Sequence, residues 1–312
     1  MSRIVGSAMG RRLLSGSMIR PVHVMLLATV VLWALNLTIT RYILQHGFEP
    51  LAYAVVRYGL ASAIFLLIAI VAERTLRIAR RDLGLVGLAA LCLYLNQIAF
   101  VYALDTTNAS TIALLLGATP AFAALIGLAL GLEQMSRRFW AASVVSFAGV
   151  GLVAAGAGGV DATGTGILLG IATAATWAGY SVAIAPLMAR YSASRISAVV
   201  LPLGWVAIVA TGGPQAAGQD YGLGWHVWLL LLFATLGPLV LTNILWFRAL
   251  HGIGPSRATL IANLQPFVAA IFALVLLSEQ MTALQVAGGV LIGGGILLAR
   301  RRPGASPPPA GE

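Results

Sequence analysis

Apolar residues in this chain are gathered into ten long runs separated by short polar segments. The runs occupy residues 23–40, 51–72, 83–104, 107–131 and 139–156, then 164–187, 194–211, 225–247, 256–278 and 282–299. Each is long enough, at about 1.5 Å of rise per helical residue, to cross roughly 30 Å of hydrocarbon. The longest connection is Gly212 to Gly224, which leaves no room for an appended soluble domain. The pattern predicts an all-α integral membrane protein with ten transmembrane helices. A cleavable signal peptide has an apolar region of only about 7 to 15 residues, closed by a small-x-small site. The first run is longer and ends in Leu37-Thr38-Ile39-Thr40-Arg41, so it is read as an uncleaved spanning helix. Residues 1–22 are then an N-terminal tail, and the Pro- and Gly-rich residues 301–312 a disordered C-terminal one.

The runs divide into two sets of five. Sliding the sequence by 146 positions lays Phe100–Glu133 without a gap on Trp246–Glu279, and ten of the thirty-four positions are identical. Most are Ala or Leu, but Pro120/Pro266 and Glu133/Glu279 also fall in register. The chain reads as two copies of one unit, residues 23–156 and 163–300. Because each copy holds an odd number of helices, the second must be inverted relative to the first. Each copy also carries a proline inside its fourth run, tolerated in a membrane only where neighbours satisfy the freed backbone. Paired interrupted helices in two inverted halves point to a binding site between them, with Pro120 and Pro266 as kinks or hinges.

Composition agrees: 60% of residues are hydrophobic, 9% are charged, and mean hydropathy is +0.94. A water-soluble domain of this size could not carry such values without large exposed apolar patches. The formal charge of +10 does not signal nucleic acid. All nineteen basic residues are Arg, and seventeen of them lie on one side of the membrane if the N-terminus is inside. Arg41 falls outside and Arg57 within a span, an asymmetry that places both termini in the cytoplasm; the expected location is the plasma (inner) membrane. The single cysteine, Cys92, lies in an apolar run and offers neither a disulfide partner nor a metal cluster.

Polar side chains within a bilayer are costly, so those at depth are the candidates for function. Trp33 and Asn36 in the first helix, and Trp177 and Tyr180 in the sixth, each share one helix face at mid-depth. Asn96 and Gln97 in the third helix match Thr242 and Asn243 in the eighth. These amides can bind a substrate or tie helices together. Asn263 and Gln265 precede Pro266, as Gly117 and Thr119 precede Pro120, and each proline frees the carbonyl four residues back, that of Leu116 or Ala262. Arg57 can snorkel outward, pair with helix carbonyls or meet an anionic substrate group. Glu133 and Glu279 end their helices and are read as turn or gate structure. No Asp, Glu or His sits at mid-span, so proton coupling has no evident carrier. Small-xxx-small spacings at Gly127/Gly131, Gly166/Gly170 and Gly289/Gly293 allow close helix packing, with a homodimer through the fifth and tenth helices as a further use.

Taken in order, these features resemble the drug/metabolite transporter superfamily and its EamA-type branch. The residues carrying the resemblance are Trp33 to Asn36, Pro50 with Arg57, Tyr102-Ala103-Leu104 with Ala109-Ser110, and Pro120 through Glu133; then Trp177 to Tyr180, Ala249-Leu250, Pro266 and Glu279. It covers about residues 23 to 300. The resemblance implies a secondary transporter of small metabolites, amino acids or related compounds first, working by alternating access and in the direction of export. Drug efflux by the same fold is the alternative, and a channel or scaffold is the reading from another class. An intramembrane enzyme would need a nucleophile with a base, paired Asp or clustered His, and the four histidines all lie at helix ends. No cofactor or metal is expected. The expected substrate site is a central cavity lined by Trp33, Asn36, Arg57, Asn96, Trp177, Tyr180, Asn243, Asn263 and Gln265.

Overall fold

The structure, a computed structural model, describes the backbone of residues 5–107, 109–132, 134–156, 163–277 and 281–299, with side chains from residue 21 onward except 109–110, 270 and 273–277. Glu133 and Glu279 lie outside the described residues. The described chain is helical: α1 (Val5–Gln45), α2 (Pro50–Ile68), α3 (Leu83–Thr106), α4 (Ala109–Leu116), α5 (Thr119–Ala129), α6 (Arg137–Gly156), α7 (Gly164–Ile184), α8 (Ala193–Gly218), α9 (Trp225–Thr235), α10 (Thr242–Ile253), α11 (Pro255–Ala262), α12 (Gln265–Leu277) and α13 (Ala283–Ala299). A π-helical turn, Leu236–Leu241, joins α9 to α10. The first helix begins at Val5 and continues through Pro21, well upstream of the first apolar run.

Eight helical spans among the described residues are long and apolar enough to cross a membrane, where ten were expected. The difference arises at the end of the chain. The ninth run is divided into α11 and α12, and α13 has only 17 residues. The fourth run is divided in the same manner, into α4 and α5. Both interruptions have one cause. Pro120 and Pro266 lack an N–H, and the chain answers with two non-helical residues just upstream, Gly117-Ala118 and Asn263-Leu264, which are equivalent in the 146-residue register. In the first break the Leu116 carbonyl freed by Pro120 is taken by the Thr119 hydroxyl at 2.6 Å.

The helices pair across the two halves: α6 against α13, α2 against α8, α3 against α7, α1 against α10, α5 against both α7 and α11, and α1 against α12. Exchanging the halves maps these pairings onto one another, with α5–α11 answered by α4–α12. The α6–α13 seam shows the same reciprocity atom by atom. A Cβ on Gly149 would lie 2.7 Å from the Gly288 carbonyl and 2.8 Å from the Ile292 nitrogen. Its counterpart on Gly295 would lie 2.8 Å from the Ala142 carbonyl and 3.0 Å from the Ser146 nitrogen. Backbone thus meets backbone along the seam, as small residues permit between helices in lipid. The glycine spacings singled out from sequence are used within the chain as well. Gly166 and Gly170 receive Thr107 and Leu115, and Gly289 receives the Phe267 ring, whereas Gly293 faces open space.

Large apolar side chains such as Val144, Leu168, Val206 and Val290 project outward, as expected where the solvent is hydrocarbon. Inside, Trp246, Tyr53, Tyr180, Phe48, Phe65 and Phe247 are fully buried. Helices α2 and α8 run antiparallel and are fastened at both ends. At one end the Gln219 and Gln215 side-chain carbonyls accept from the backbone N–H groups of Glu49 and Leu51 at 2.7 and 2.6 Å. At the other, Arg190 pairs with Asp82 and Arg195 with Glu73, each at 2.8 Å. Between them Trp205 Nε1 donates to the Val55 carbonyl at 2.9 Å.

Candidate functional site

A cavity of about 110 Å³ lies where the halves meet, and its lining repeats the 146-residue register. Leu93 and Leu239, Asn96 and Thr242, Gln97 and Asn243, Ala113 and Thr259, Leu116 and Ala262, Gly117 and Asn263, and Thr119 and Gln265 all contribute as equivalent pairs. Trp33 from α1 and Trp177 from α7 add an aromatic pair, with ring centroids 5.1 Å apart and planes at 86°. The cavity therefore sits where each half presents its broken helix and the matching stretch of the helix before it.

Eight of the nine expected site residues line this cavity. Tyr180 does not: it is fully buried behind the wall, its ring 5.3 Å from that of Trp177 and 5.9 Å from that of Phe247. A residue three positions after Trp177 shares its helix face, but here that face packs against Phe247 and does not open on the cavity. Asn36, the corresponding residue in α1, does reach it.

Most of the polar lining is already engaged in holding helices together. Asn96 Nδ2 donates to the Thr173 carbonyl at 2.9 Å and to Thr176 Oγ1 at 3.3 Å, tying α3 to α7. Gln265 Nε2 donates to the Trp33 carbonyl at 3.2 Å. Trp33 Nε1 is shared between the Pro238 carbonyl at 3.2 Å and Thr242 Oγ1 at 3.1 Å. Asn263 Nδ2 donates to the Gly117 carbonyl and to Ser146 Oγ, both at 3.1 Å. The first of these bonds links the break in one half to its own counterpart in the other. Asn263→Ala is expected to strip that link from a buried pair of acceptors and to cost about 1–3 kcal/mol, read as a lower melting temperature in detergent.

Arg57 is 3% exposed and does not snorkel. Its Nη2 donates to Asn36 Oδ1 at 3.1 Å and to the Ala234 carbonyl at 2.9 Å, and the guanidinium lies 5.6 Å from the centre of the Tyr53 ring. The Ala234 carbonyl is available because Pro238, four residues on, has no N–H to offer it. The same proline lies in the π-helical turn that presents its own carbonyl to Trp33. Three atoms of the lining remain buried without a partner: Arg57 Nε, Gln97 Oε1 and Asn243 Nδ2.

The EamA-like transporter family profile matches this chain twice, over residues 20–155 and 164–301. The chain belongs to the EamA-like transporter family. It is similar to an uncharacterized transporter of Archaeoglobus fulgidus, 25% identical over 278 residues that cover 86% of this chain and 93% of the relative. A solved structure described as a crystal structure of a protein superposes with a TM-score of 0.70 at 16% identity, covering 89% of this chain and 96% of the other, and shares the fold. This EamA-like transporter is thus a multi-pass membrane protein in a lipid bilayer.

One residue behind the wall of the transporter's cavity and one on it escape a reading of its sequence. Trp246 packs with ring centroids 4.9 Å from Trp33 and 6.1 Å from Trp177 and donates to Ser181 Oγ at 3.3 Å, completing an aromatic cluster. Its only signal in the sequence is register: it is the counterpart of Phe100, which lines the cavity. Pro238 carries a signal too, being a further proline inside an apolar run, but no equivalent proline in the first half draws attention to it. Among the described residues no cluster of His, Cys, Asp or Glu is placed to hold a metal.

Proposed function

We propose that this protein is a secondary transporter that moves small metabolites, amino acids or related compounds, by alternating access and in the direction of export. The observation that carries this reading is the lining of the central cavity by seven pairs of equivalent positions from the two halves. A site on the boundary between two like units can be opened to either side by equivalent motions of each, and inverted repeats supply that equivalence. In this reading the chain crosses the membrane ten times, with α4–α5 and α11–α12 each making one interrupted crossing, and both termini face the cytoplasm. Trp33 and Trp177 form apolar walls for the solute, Asn36 and Asn243 face it with amides, and the breaks before Pro120 and Pro266 act as hinges.

The reading is tested by counterflow in proteoliposomes preloaded with single amino acids, comparing wild type with Trp177→Ala and Asn243→Ala, with and without a pH gradient. Saturable exchange that is indifferent to the gradient and falls about tenfold in each variant supports it, tenfold being about 1.4 kcal/mol of lost interaction. Exchange unchanged in both variants moves the site elsewhere.

A further inference from the structure

We propose that the cavity is built for a monocarboxylate, with Arg57 as the seat of the carboxylate group; this rests on the central cavity being the transport site. Among the described lining residues Arg57 is the one charge, with no Asp, Glu or His beside it. Both ion pairs seen among the described side chains, Arg190 with Asp82 and Arg195 with Glu73, lie at the far end of the α2–α8 pair. The partners Arg57 does have are neutral: an amide oxygen and a backbone carbonyl, both accepting from Nη2. A guanidinium removed from water without a counter-ion leaves a large desolvation cost uncompensated, and intramembrane charges held in this way mark ligand or ion pathways.

The guanidinium is also held in place. Asn36 fixes it from α1, the Ala234 carbonyl freed by Pro238 fixes it from α9, and Tyr53 lies beside it. Arg57 lines the cavity, and its Nε is buried and unpartnered. A carboxylate placed there gains a charge-assisted hydrogen bond and neutralises the site. The remaining unmatched atoms fit the same class of ligand. Asn243 Nδ2 is a second donor, and its register partner Gln97 supplies a lone acceptor, Oε1. Two donors and one acceptor, one of the donors cationic, complement a carboxylate that carries an amino or hydroxyl group nearby. Trp33, Trp177 and Leu93 give the rest of the ligand an apolar surface. One cation is too little for a phosphate dianion, and it repels an organic cation.

The test uses three solutes with one branched carbon skeleton: leucine, 4-methylpentanoate, which lacks the ammonium group, and 3-methylbutylamine, which lacks the carboxylate. Each is measured by thermal stabilisation of the purified full chain and by counterflow in liposomes, for wild type, Arg57→Gln and Arg57→Lys. Size-exclusion profiles confirm that the variants are folded. One or both carboxylates, but not the amine, should stabilise and be exchanged by the wild type. Arg57→Gln should lower their apparent affinity at least tenfold, and Arg57→Lys, which keeps the charge but not the guanidinium donors, should lower it less. Preference for leucine over 4-methylpentanoate assigns the Gln97 acceptor to an ammonium, and the reverse assigns the site to simple carboxylates; both support a carboxylate seat. The proposal is overturned if the amine matches the carboxylates, if a folded Arg57→Gln protein binds them within twofold of wild type, or if no carboxylate acts while another metabolite is exchanged. In that last case the transport reading stands without it; a wild type that exchanges no solute at all removes both.

Discussion

Replacing Gly149 or Gly288 with leucine is expected to abolish recovery of a folded, monodisperse protein, the largest single-residue loss of stability anticipated in this chain. The reason lies in what the new side chain would strike. The first carbon added at Gly288 would lie 2.5 Å from the Gly149 carbonyl oxygen and 2.9 Å from the Val153 nitrogen, and one added at Gly149 meets Gly288 and Ile292 in return. These are backbone atoms of two helices, so no rotamer change can relieve the contact and α6 and α13 must separate. Overpacking of a core by flexible side chains costs about 1–3 kcal/mol. Against backbone on both sides the cost is expected at or above the top of that range. Lipid supplies no hydrophobic force to push the helices back together, so the association lost with close packing is not recovered. Gly293→Leu is the control: its Cβ would meet nothing within 4 Å, and the variant should behave as wild type. Fluorescence-detected size exclusion and melting in detergent read all three. Normal profiles for Gly149→Leu and Gly288→Leu would mean that α6 and α13 do not pack as described.

That seam also marks where sequence reasoning reaches and where it stops. Hydropathy alone locates the helices, because a run of some twenty apolar residues has few other uses, and the prolines in register locate both interruptions. Much of the cavity lining follows from the same register: Asn96, Asn243, Asn263 and Gln265 are polar residues at a depth where polarity must be explained, and all four line the cavity. Hidden from the sequence is the direction in which each side chain points around a helix that is apolar on every face. Tyr180 and Asn36 occupy the same place after a tryptophan, yet one is sealed behind the wall and the other faces the cavity. The glycine spacings show the same limit: Gly166, Gly170 and Gly289 do receive neighbouring side chains, but the crossing in which backbone meets backbone uses Gly149, Gly288 and Gly295, which the motif did not single out. The eight spans against ten expected have a different origin: the ninth run is divided at Asn263-Leu264, and α13 has only 17 described residues.

Asp82→Arg is expected to destabilise the protein by about 3 kcal/mol, the lower end of the cost of breaking a buried charge pair by altering one partner. Asp82 is 1% exposed at the start of α3. It accepts from Arg190 at 2.8 Å and from the Tyr191 hydroxyl at 2.7 Å, while that hydroxyl itself accepts from the Ala79 N–H at 3.0 Å. An arginine there would confront Arg190 across the same gap and place a cation at a helix N-terminus, where the backbone dipole disfavours it. Asp82→Asn should cost far less, because Arg190, 35% exposed, can turn to water. The exchanged pair, Asp82→Arg with Arg190→Asp, restores the attraction and should recover about half of the loss, the remainder being the dipole term and the Tyr191 contact. Melting temperatures of the four proteins in detergent decide it, and a double variant no more stable than Asp82→Arg alone would mean that the two side chains do not pair. The result bears on transport because α2 and α8 are fastened at both ends at once, by ions at one and by Gln215 and Gln219 at the other. An alternating-access cycle that parted these helices at the ionic end would have to break Asp82 from Arg190 and Glu73 from Arg195 in every turnover. If the cycle instead keeps the pair intact, the exchanged variant, once reconstituted, should transport at the wild-type rate even though its melting temperature stays lower.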